Sequence, residues 1–442
     1  MLNLLAARTQ MAVSLGFHIV FACIGMAMPF FMAAAHYKYL KTLDRLYLNL
    51  TKVWMRGVAI FFAVGAVSGT VLAFELGLLF PHFMEKAGPV IGLPFAWEGT
   101  AFFLEAIALG LYLYGWNRIN RWVHWCCGIL MGVFGVASAF FVVCANGWMN
   151  SPAGFDVVDG QWVNIDPVAA MFNAAALQQG LHMVIAAFAA TGFAVAGLHG
   201  FLLFRQRQNR FHSAALRIAL LFGAVAALLQ PISGDFSSKM VAEQQPEKFA
   251  AMEALFETTK GAPLLIGGIP LEEERKVILG LHIPGLLSFL AKGDFDAEVQ
   301  GLGDFPKENW PPVLVVHTAF QVMVGIGFLL AGMALMGLFI LWKRDSVLDH
   351  PYFLLLLIAC TPLGFIAIEA GWVVTEVGRQ PWVVYKILRV SETVTPMPGL
   401  TVSLLLFTGL YLALSAVGAW LMARQIKAIR GLSAEPPEGG DA

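Results

Sequence analysis

The chain has 442 residues, of which 58% are hydrophobic and only 13% charged, with a formal net charge of −1. A soluble domain carries about 25% charged residues, so this composition excludes an ordinary globular protein. The balanced charge also removes the basic excess expected of a nucleic-acid-binding protein, and no nucleic-acid partner is expected.

Apolar runs of about 20 residues recur along the chain and mark a polytopic helical membrane protein. The alternating segments of about 10 residues that build an outer-membrane barrel are absent. Five cysteines (Cys23, Cys126, Cys127, Cys144, Cys360) lie in or beside apolar runs without CxxC spacing, which fits small buried hydrophobes rather than a disulfide framework. The first run lacks a cleavable-signal pattern and reads as retained.

Taken in order, the runs predict nine spans, at about 12–35, 54–80, 94–116, 122–148, 168–204, 214–231, 311–342, 351–376 and 397–423. The expected fold is therefore an all-α integral membrane protein with nine transmembrane helices. Basic residues cluster after span 1 (Lys38, Lys41, Arg45, Lys52, Arg56), span 3 (Arg118, Arg121), span 5 (Arg205, Arg207, Arg210, Arg217) and span 7 (Lys343, Arg344), and after span 9 (Arg424, Lys427, Arg430). The positive-inside rule then puts the N-terminus outside and the C-terminus in the cytoplasm. The connection after span 8 breaks the pattern with Arg379, Lys386 and Arg389, which calls for an anionic partner on the outer side.

The chain divides into spans 1–6 (1–231), one long outer connection (232–310), spans 7–9 (311–425) and a cytoplasmic tail (426–442), unstructured from Ser433. A connection of that length is functional or disordered, and its Phe, Leu and Ile content argues for order. It predicts a helix around Pro246–Thr258 and an amphipathic stretch around Leu271–Leu290.

Polar residues inside the spans are functional candidates by their unfavourable transfer into lipid. At 1.5 Å per residue, His182 in span 5 and Met323 in span 7 both lie roughly 18 Å in. An imidazole and a thioether at one depth can hold a planar macrocycle between them, and His/Met is a haem ligand pair; a hydrogen-bonded core histidine and a gap-filling methionine are the plain alternatives. His18 in span 1 is a ligand or a satisfied polar group. Glu98 and Glu105, seven residues apart, share a face of span 3 and require charge partners, a metal or protonation. Ser138 and Asn146, eight apart in span 4, lie roughly on one face and either continue a hydrogen-bonded path or join helices. The remaining histidines (His36, His82, His124, His199, His212, His282, His317) fall mainly near span ends and read as interfacial.

The most concentrated chemistry is Gly371–Trp382, where Glu376, Arg379, Gln380, Trp372 and Trp382 follow a long apolar run within a dozen residues. The carboxylate sits at or just inside a span edge; the indoles suit interface anchoring or a cofactor's surroundings.

These residues resemble subunit I of the cytochrome bd quinol oxidases, in order from about residue 8 to 425. The most specific piece is GWVVTEVGRQPW at 371–382; Phe17-His18, Glu98-Gly99, Phe102–Glu105, Ala145–Met149 and His182 support it. The resemblance implies a bacterial inner-membrane quinol:O2 oxidoreductase that builds a proton gradient without pumping. It implies two haem b groups and a third haem, d or b. His182 and Met323 would ligate the low-spin haem, Glu376 the high-spin haem b, and His18 the oxygen-reducing haem, with Glu98 near its other face. Glu105 and Ser138 would carry protons from the cytoplasm, Asn146 would lie near the high-spin pair, and Lys248 and Glu253 would serve quinol. Their spacing of five residues places Lys248 and Glu253 near one another on a short helix. Arg379 would meet haem propionates or a neighbouring carboxylate. A second large membrane subunit is implied as partner, and a small single-span one is allowed.

The chain departs from the best-known members in two ways: it carries Gln321 where they have arginine, and its long connection lacks their insertion. Both features resemble the short-loop, cyanide-insensitive branch. A haem b subunit that passes quinone electrons elsewhere without reducing O2 is the alternative reading. A proton-coupled transporter should show an internal repeat with broken helices, and none is found.

Overall fold

The computed structural model describes residues 2–206, 209–343, 350–393 and 398–430. Arg207, Arg344 and the tail from Ser433 lie outside the described residues. The helices are α1 (Leu2–Thr42), α2 (Arg45–Leu79), α3 (Pro81–Tyr114), α4 (Arg121–Asn150), α5 (Pro167–Met171), α6 (Ala176–Arg205), α7 (Arg210–Gln244), α8 (Pro246–Met252), α9 (Leu286–Lys292), α10 (Val313–Trp342), α11 (Pro351–Ala359), α12 (Leu363–Val377) and α13 (Leu400–Arg430). Short strands β1 (Asp156–Val158), β2 (Gln161–Val163), β3 (Thr259–Lys260), β4 (Leu264–Leu271), β5 (Lys276–Ile283), β6 (Glu298–Val299), β7 (Trp382–Val384) and β8 (Leu388–Arg389) pair in antiparallel ribbons, β1 with β2, β3 with β6, β4 with β5 and β7 with β8.

Among the described residues nine helical segments are long and apolar enough to cross a membrane, as the sequence predicts. Their lengths run well past the apolar runs, because polar turns continue the helices beyond the hydrocarbon-length core: α7 reaches Gln244 and α3 begins at Pro81. Side-chain oxygens cap several starts, as Asn120 accepts from Trp122 N for α4 and Asn209 from Phe211 N and His212 N for α7.

Two predicted spans differ in form. Span 5 does not start at 168. The short α5 stops at Met171, and Asn173 holds the break by accepting from Ala175 N while donating to Cys144 O and Ala170 O, competing with the helix for its own main chain. Span 8 is two helices, because Pro362 removes an N–H and disfavours helix at the residue before it.

Helices pack in sequence-neighbour pairs, α1 on α2, α3 on α4 and α6 on α7, with α10 seated against α7 and α12. The largest core joins Phe31, Leu50, Trp54, Tyr112, Met131, Phe193 and Leu220 across six helices. A second cluster unites Met252, Phe256, Leu265, Val313, Val316 and Val374, tying the long connection onto α10 and α12. Exposed Leu405, Leu406, Leu412 and Trp420 on α13 suit a peripheral helix in lipid.

The long connection differs from expectation after α8. The helix ends at Met252 and Ala254 takes a positive φ of 50°, so no helix continues to Thr258. The predicted amphipathic stretch is a β4–β5 hairpin followed by α9. Its β-branched residues and Gly267, Gly268 and Gly280 favour strands over a helix.

Candidate functional site

The site forms where α12 ends. Gly378 caps α12 by donating its N–H to Val374 O, which leaves Glu376 in the last turn and returns Arg379 over it. Arg379 Nη2 meets Glu376 Oε2 at 2.6 Å, and Arg379 is 2% exposed. From α4, Asn146 Nδ2 donates to Glu376 Oε1 at 2.5 Å. Asn150, one turn on, donates to Asn146 Oδ1 at 3.1 Å, and Lys248 Nζ of α8 donates to Asn150 Oδ1 at 2.7 Å. Gln380 Nε2 returns to Glu376 O at 3.3 Å. A continuous polar chain thus runs from Lys248 through two asparagines to Glu376 and Arg379.

Two basic groups and one carboxylate share this chain. Burial, and then the nearby Arg379 guanidinium, push the Lys248 ammonium well below the usual lysine range, against an opposing pull from Glu376. Arg379 Nε and Nη1 and Trp372 Nε1 are buried with no hydrogen-bond partner. Unpaired buried donors beside excess positive charge are the surroundings that anionic groups such as haem propionates require.

The three basic residues that break the positive-inside pattern all have partners. Arg379 pairs with the neighbouring carboxylate of Glu376. Lys386 Nζ lies 3.1 Å from Glu247 Oε1, and Arg389 donates to Asn309 Oδ1 at 2.7 Å while stacking over Trp382 at 4.5 Å. Tyr385 donates to Glu247 Oε2, and burial followed by that bond raises its phenol pKa. The β7–β8 ribbon is thereby locked to α8.

His18 on α1 has Nδ1 2.9 Å from Ser68 Oγ, and Ser68 gives its own hydrogen to the Val64 or Gly65 carbonyl. Ser68 must then accept from Nδ1–H, which leaves the His18 Nε2 lone pair free for a metal. Gly69 passes so close that a Cβ there would stand 2.9 Å from His18 Cε1. His182 Nδ1 lies 3.1 Å from Ser233 Oγ on α7, and its Nε2 receives the Gln230 amide at 3.1 Å, the same lone pair an iron would take. Met323 Sδ lies against α12, where a Cβ at Gly371 would come within 2.9 Å of it. This donor set, with second-shell oxygens fixing the imidazoles and glycines clearing the ligand atoms, fits haem. His182 is six residues into α6 and Met323 ten into α10, about 9 and 15 Å along their axes from each helix's start.

Glu98 and Glu105 both face α4, as their shared face predicts. Ser138 Oγ donates to Glu98 Oε1 at 3.3 Å, and a Cβ at Gly135 would meet Glu105 Oε1 at 3.2 Å. Glu105 is 7% exposed. Ser138 and Asn146 do not continue one path. Eight residues is 80° past two full turns, so Ser138 faces α3 while Asn146 faces Glu376.

Lys248 and Glu253 are not paired. Five residues turn a helix 500°, which points Lys248 to Asn150 and leaves Glu253, the residue capping α8, with Oε2 buried and unpartnered. Burial pushes the Glu253 carboxyl up to about 8. Five histidines expected at interfaces are buried instead: His36, His124, His199, His212 and His317; His82 and His282 are exposed. Each buried ring has a hydrogen-bonding partner, as His36 has in Tyr112 at 2.8 Å, His199 in His212 at 3.0 Å and His317 in the main chain of the long connection. Among the cysteines, Cys126 is exposed and the other four are buried.

Sequence reasoning passed over Glu75, fully buried and bonded to Gln10 at 2.8 Å, and Glu369, whose Oε1 is buried without a partner. Both lie inside predicted spans, and the rule that singled out Glu98 and Glu105 applies to them equally. Asn150 and Ser68 carried no signal, because their importance lies in which side chain each one contacts.

Residues 6–429 match the sequence family described as cytochrome bd terminal oxidase subunit I. A Bacillus subtilis protein named as a cytochrome bd menaquinol oxidase subunit I is 37% identical over 95% of this chain and 96% of its own length. The cytochrome bd ubiquinol oxidase subunit 1 of the same organism is 31% identical over 97% and 94%. The structure of the bd oxidase from Geobacillus thermodenitrificans superposes with a TM-score of 0.90 at 37% identity, covering 96% of this chain and 98% of that one.

Proposed function

The chain belongs to the cytochrome bd terminal oxidase subunit I family, and on that premise we propose which residues carry its chemistry. It is the haem-bearing subunit of a quinol oxidase and a multi-pass protein of the bacterial inner membrane. That reading is favoured over a quinone-linked subunit that leaves O2 untouched. The observation that carries the residue assignment is the chain from Lys248 through Asn150 and Asn146 to Glu376, which joins the long connection to the end of α12.

His182 and Met323 would hold a low-spin haem b, Glu376 a high-spin haem b, and His18 a third haem, d or b. Bound haem supplies the one-electron chemistry and the place where O2 is reduced. The protein's own part is binding, orientation and proton handling. Arg379 and Trp372 offer buried donors to propionates, and Asn146 orients Glu376. Glu253 accepts a quinol hydroxyl proton, its raised pKa matching it to that task near neutral pH, and Lys248 donates to the quinol oxygen.

With the connection outside, as the basic residues indicate, quinol protons leave to the outer side. Glu105, Glu98 and Ser138 carry protons inward from the cytoplasm along the α3–α4 seam. Opposed release and uptake separate charge without a pump. A second large membrane subunit completes the oxidase, with quinol and O2 as substrates.

A reduced-minus-oxidised spectrum of the purified protein, with and without carbon monoxide, tests the reading. Low-spin and carbon monoxide-sensitive components are both expected; a low-spin band alone would turn the assignment toward the quinone-linked subunit. Extraction of the pigments decides haem d against haem b.

A further inference from the structure

His317 on α10 is fully buried, and both its ring nitrogens face main-chain carbonyls: Nδ1 lies 2.8 Å from Met252 O and Nε2 3.0 Å from Gly267 O. The ring thus lies between two main-chain acceptors, one at the end of α8 and one on β4. One turn along, Gln321 Nε2 donates to Leu265 O at 3.0 Å and its Oε1 accepts from Gly267 N at 3.0 Å. The pair at i and i+4 on one helix face therefore grips residues 265–267 much as a neighbouring strand would.

The hairpin is built to be gripped there. Its register runs Gly267 opposite Gly280 and then Ile269 opposite Ile278, skipping Gly268 and Leu279, both at positive φ. β4 and β5 form a two-stranded ribbon, so the main-chain groups of Leu265 and Gly267 face its open edge, and α10 takes them. The other end of the His317 contact is the last residue of α8, immediately before Glu253. One helix face thus fixes two segments of the long connection against each other.

We propose that His317 and Gln321 are positioning residues for quinol oxidation, latching the β4–β5 hairpin and the end of α8 onto α10 so that Glu253 is held toward the substrate. The inference rests on the reading of Lys248 and Glu253 as the quinol residues. It also explains the glutamine at a position where the resemblance expects arginine: a guanidinium has no acceptor for the Gly267 N–H, so this latch requires an amide.

The test uses the purified holoenzyme carrying Gln321→Leu, Gln321→Arg, Gln321→Glu or His317→Phe. Gln321→Leu, Gln321→Arg and His317→Phe are each expected to raise the KM for quinol by roughly fivefold, a change on the scale of one net hydrogen bond. The haem spectrum and oxygen consumption driven by an artificial one-electron donor stay at wild-type values. Tryptic cleavage after Arg275 and Lys276, at the hairpin turn, becomes faster. Gln321→Glu keeps the acceptor and falls between wild type and Gln321→Leu.

Wild-type KM and wild-type cleavage in the Gln321 and His317 variants overturn the latch, as does an equal loss with quinol and the artificial donor, which would place the defect at the Met323 haem. If His317→Phe does not assemble, the Gln321 series decides. Lys248→Ala and Glu253→Ala run alongside: normal quinol oxidation in both removes the quinol reading itself, whereas a defect there with silent latch variants removes only the latch.

Discussion

Glu253 shows how far one side chain's surroundings set its chemistry. It closes α8 with a buried carboxylate oxygen that has no hydrogen-bond partner among the described residues, and burial raises its pKa to about 8. A raised carboxyl pKa means the folded protein holds this proton between about pH 4.5 and 8, and its contribution to stability falls as pH rises across that window. For activity the sign is opposite, since only the carboxylate accepts a quinol proton. Quinol oxidation is expected to rise with pH and level off above about 8, and Glu253→Gln is expected to abolish that limb of the pH–rate profile. A second prediction concerns Arg379. Removing it as Arg379→Ala leaves Glu376 with Asn146 as its remaining side-chain partner, a loss of roughly 3–5 kcal/mol for a buried pair. The variant should lose the high-spin haem signal or unfold at lower temperature, while a full spectrum with an unchanged melting point would show that the pair is dispensable. The residues of this site were legible in the sequence as types and not as contacts. Glu376, Arg379 and Asn146 stand out because polar groups in apolar runs are rare. That Asn150 links Lys248 to Asn146 depends on α8 folding back over α4, which no local pattern records.

At the scale of elements, hydrophobic runs located every span, because burial in lipid demands about 20 apolar residues whatever the rest of the chain does. Their ends were missed where polar turns extend a helix beyond the apolar run, and where Asn173 and Pro362 interrupt one. The hairpin was missed for a different reason: Leu271–Leu290 has an apolar periodicity compatible with either helix or strand, and its glycines and Ile/Val content were the deciding signal. The α3–α4 seam is where the sequence reading and the packing agree most closely, since a seven-residue spacing keeps Glu98 and Glu105 on one stripe. Glu105→Ala is expected to slow O2 reduction by roughly 10²-fold or more, as loss of a positioned proton-transfer group does. Haem content should stay intact; wild-type turnover would take Glu105 off the proton route. On α10, Met323→Leu should remove or shift the low-spin haem signal in spectrum and potential. An unchanged signal would release the sulfur to the plain packing role its contact with Gly371 already offers.

For the whole molecule the question is direction. The long connection, α8 and the end of α12 gather at one end of the bundle, and the connections at the other end carry most of the lysines and arginines. Of the three basic residues that spoiled the count, Arg379 and Lys386 pair with carboxylates, and Arg389 bonds Asn309 and stacks over Trp382. The positive-inside rule supports placing the long connection on the outer side. On the proposed reading each quinol yields two protons with its two electrons, and Glu253 would discharge them toward the outer side. In vesicles holding the complete oxidase with the connection facing out, quinol oxidation is expected to acidify the outer medium by about one proton per electron while the interior loses an equal number to O2. Glu105→Ala should slow both changes together, since neither can outrun the reaction that consumes protons at the other end. A ratio well above one would require a route that carries protons across the whole bundle. The α3–α4 seam would supply only its inner portion, because Ser138 turns to Glu98 and Asn146 turns away to Glu376.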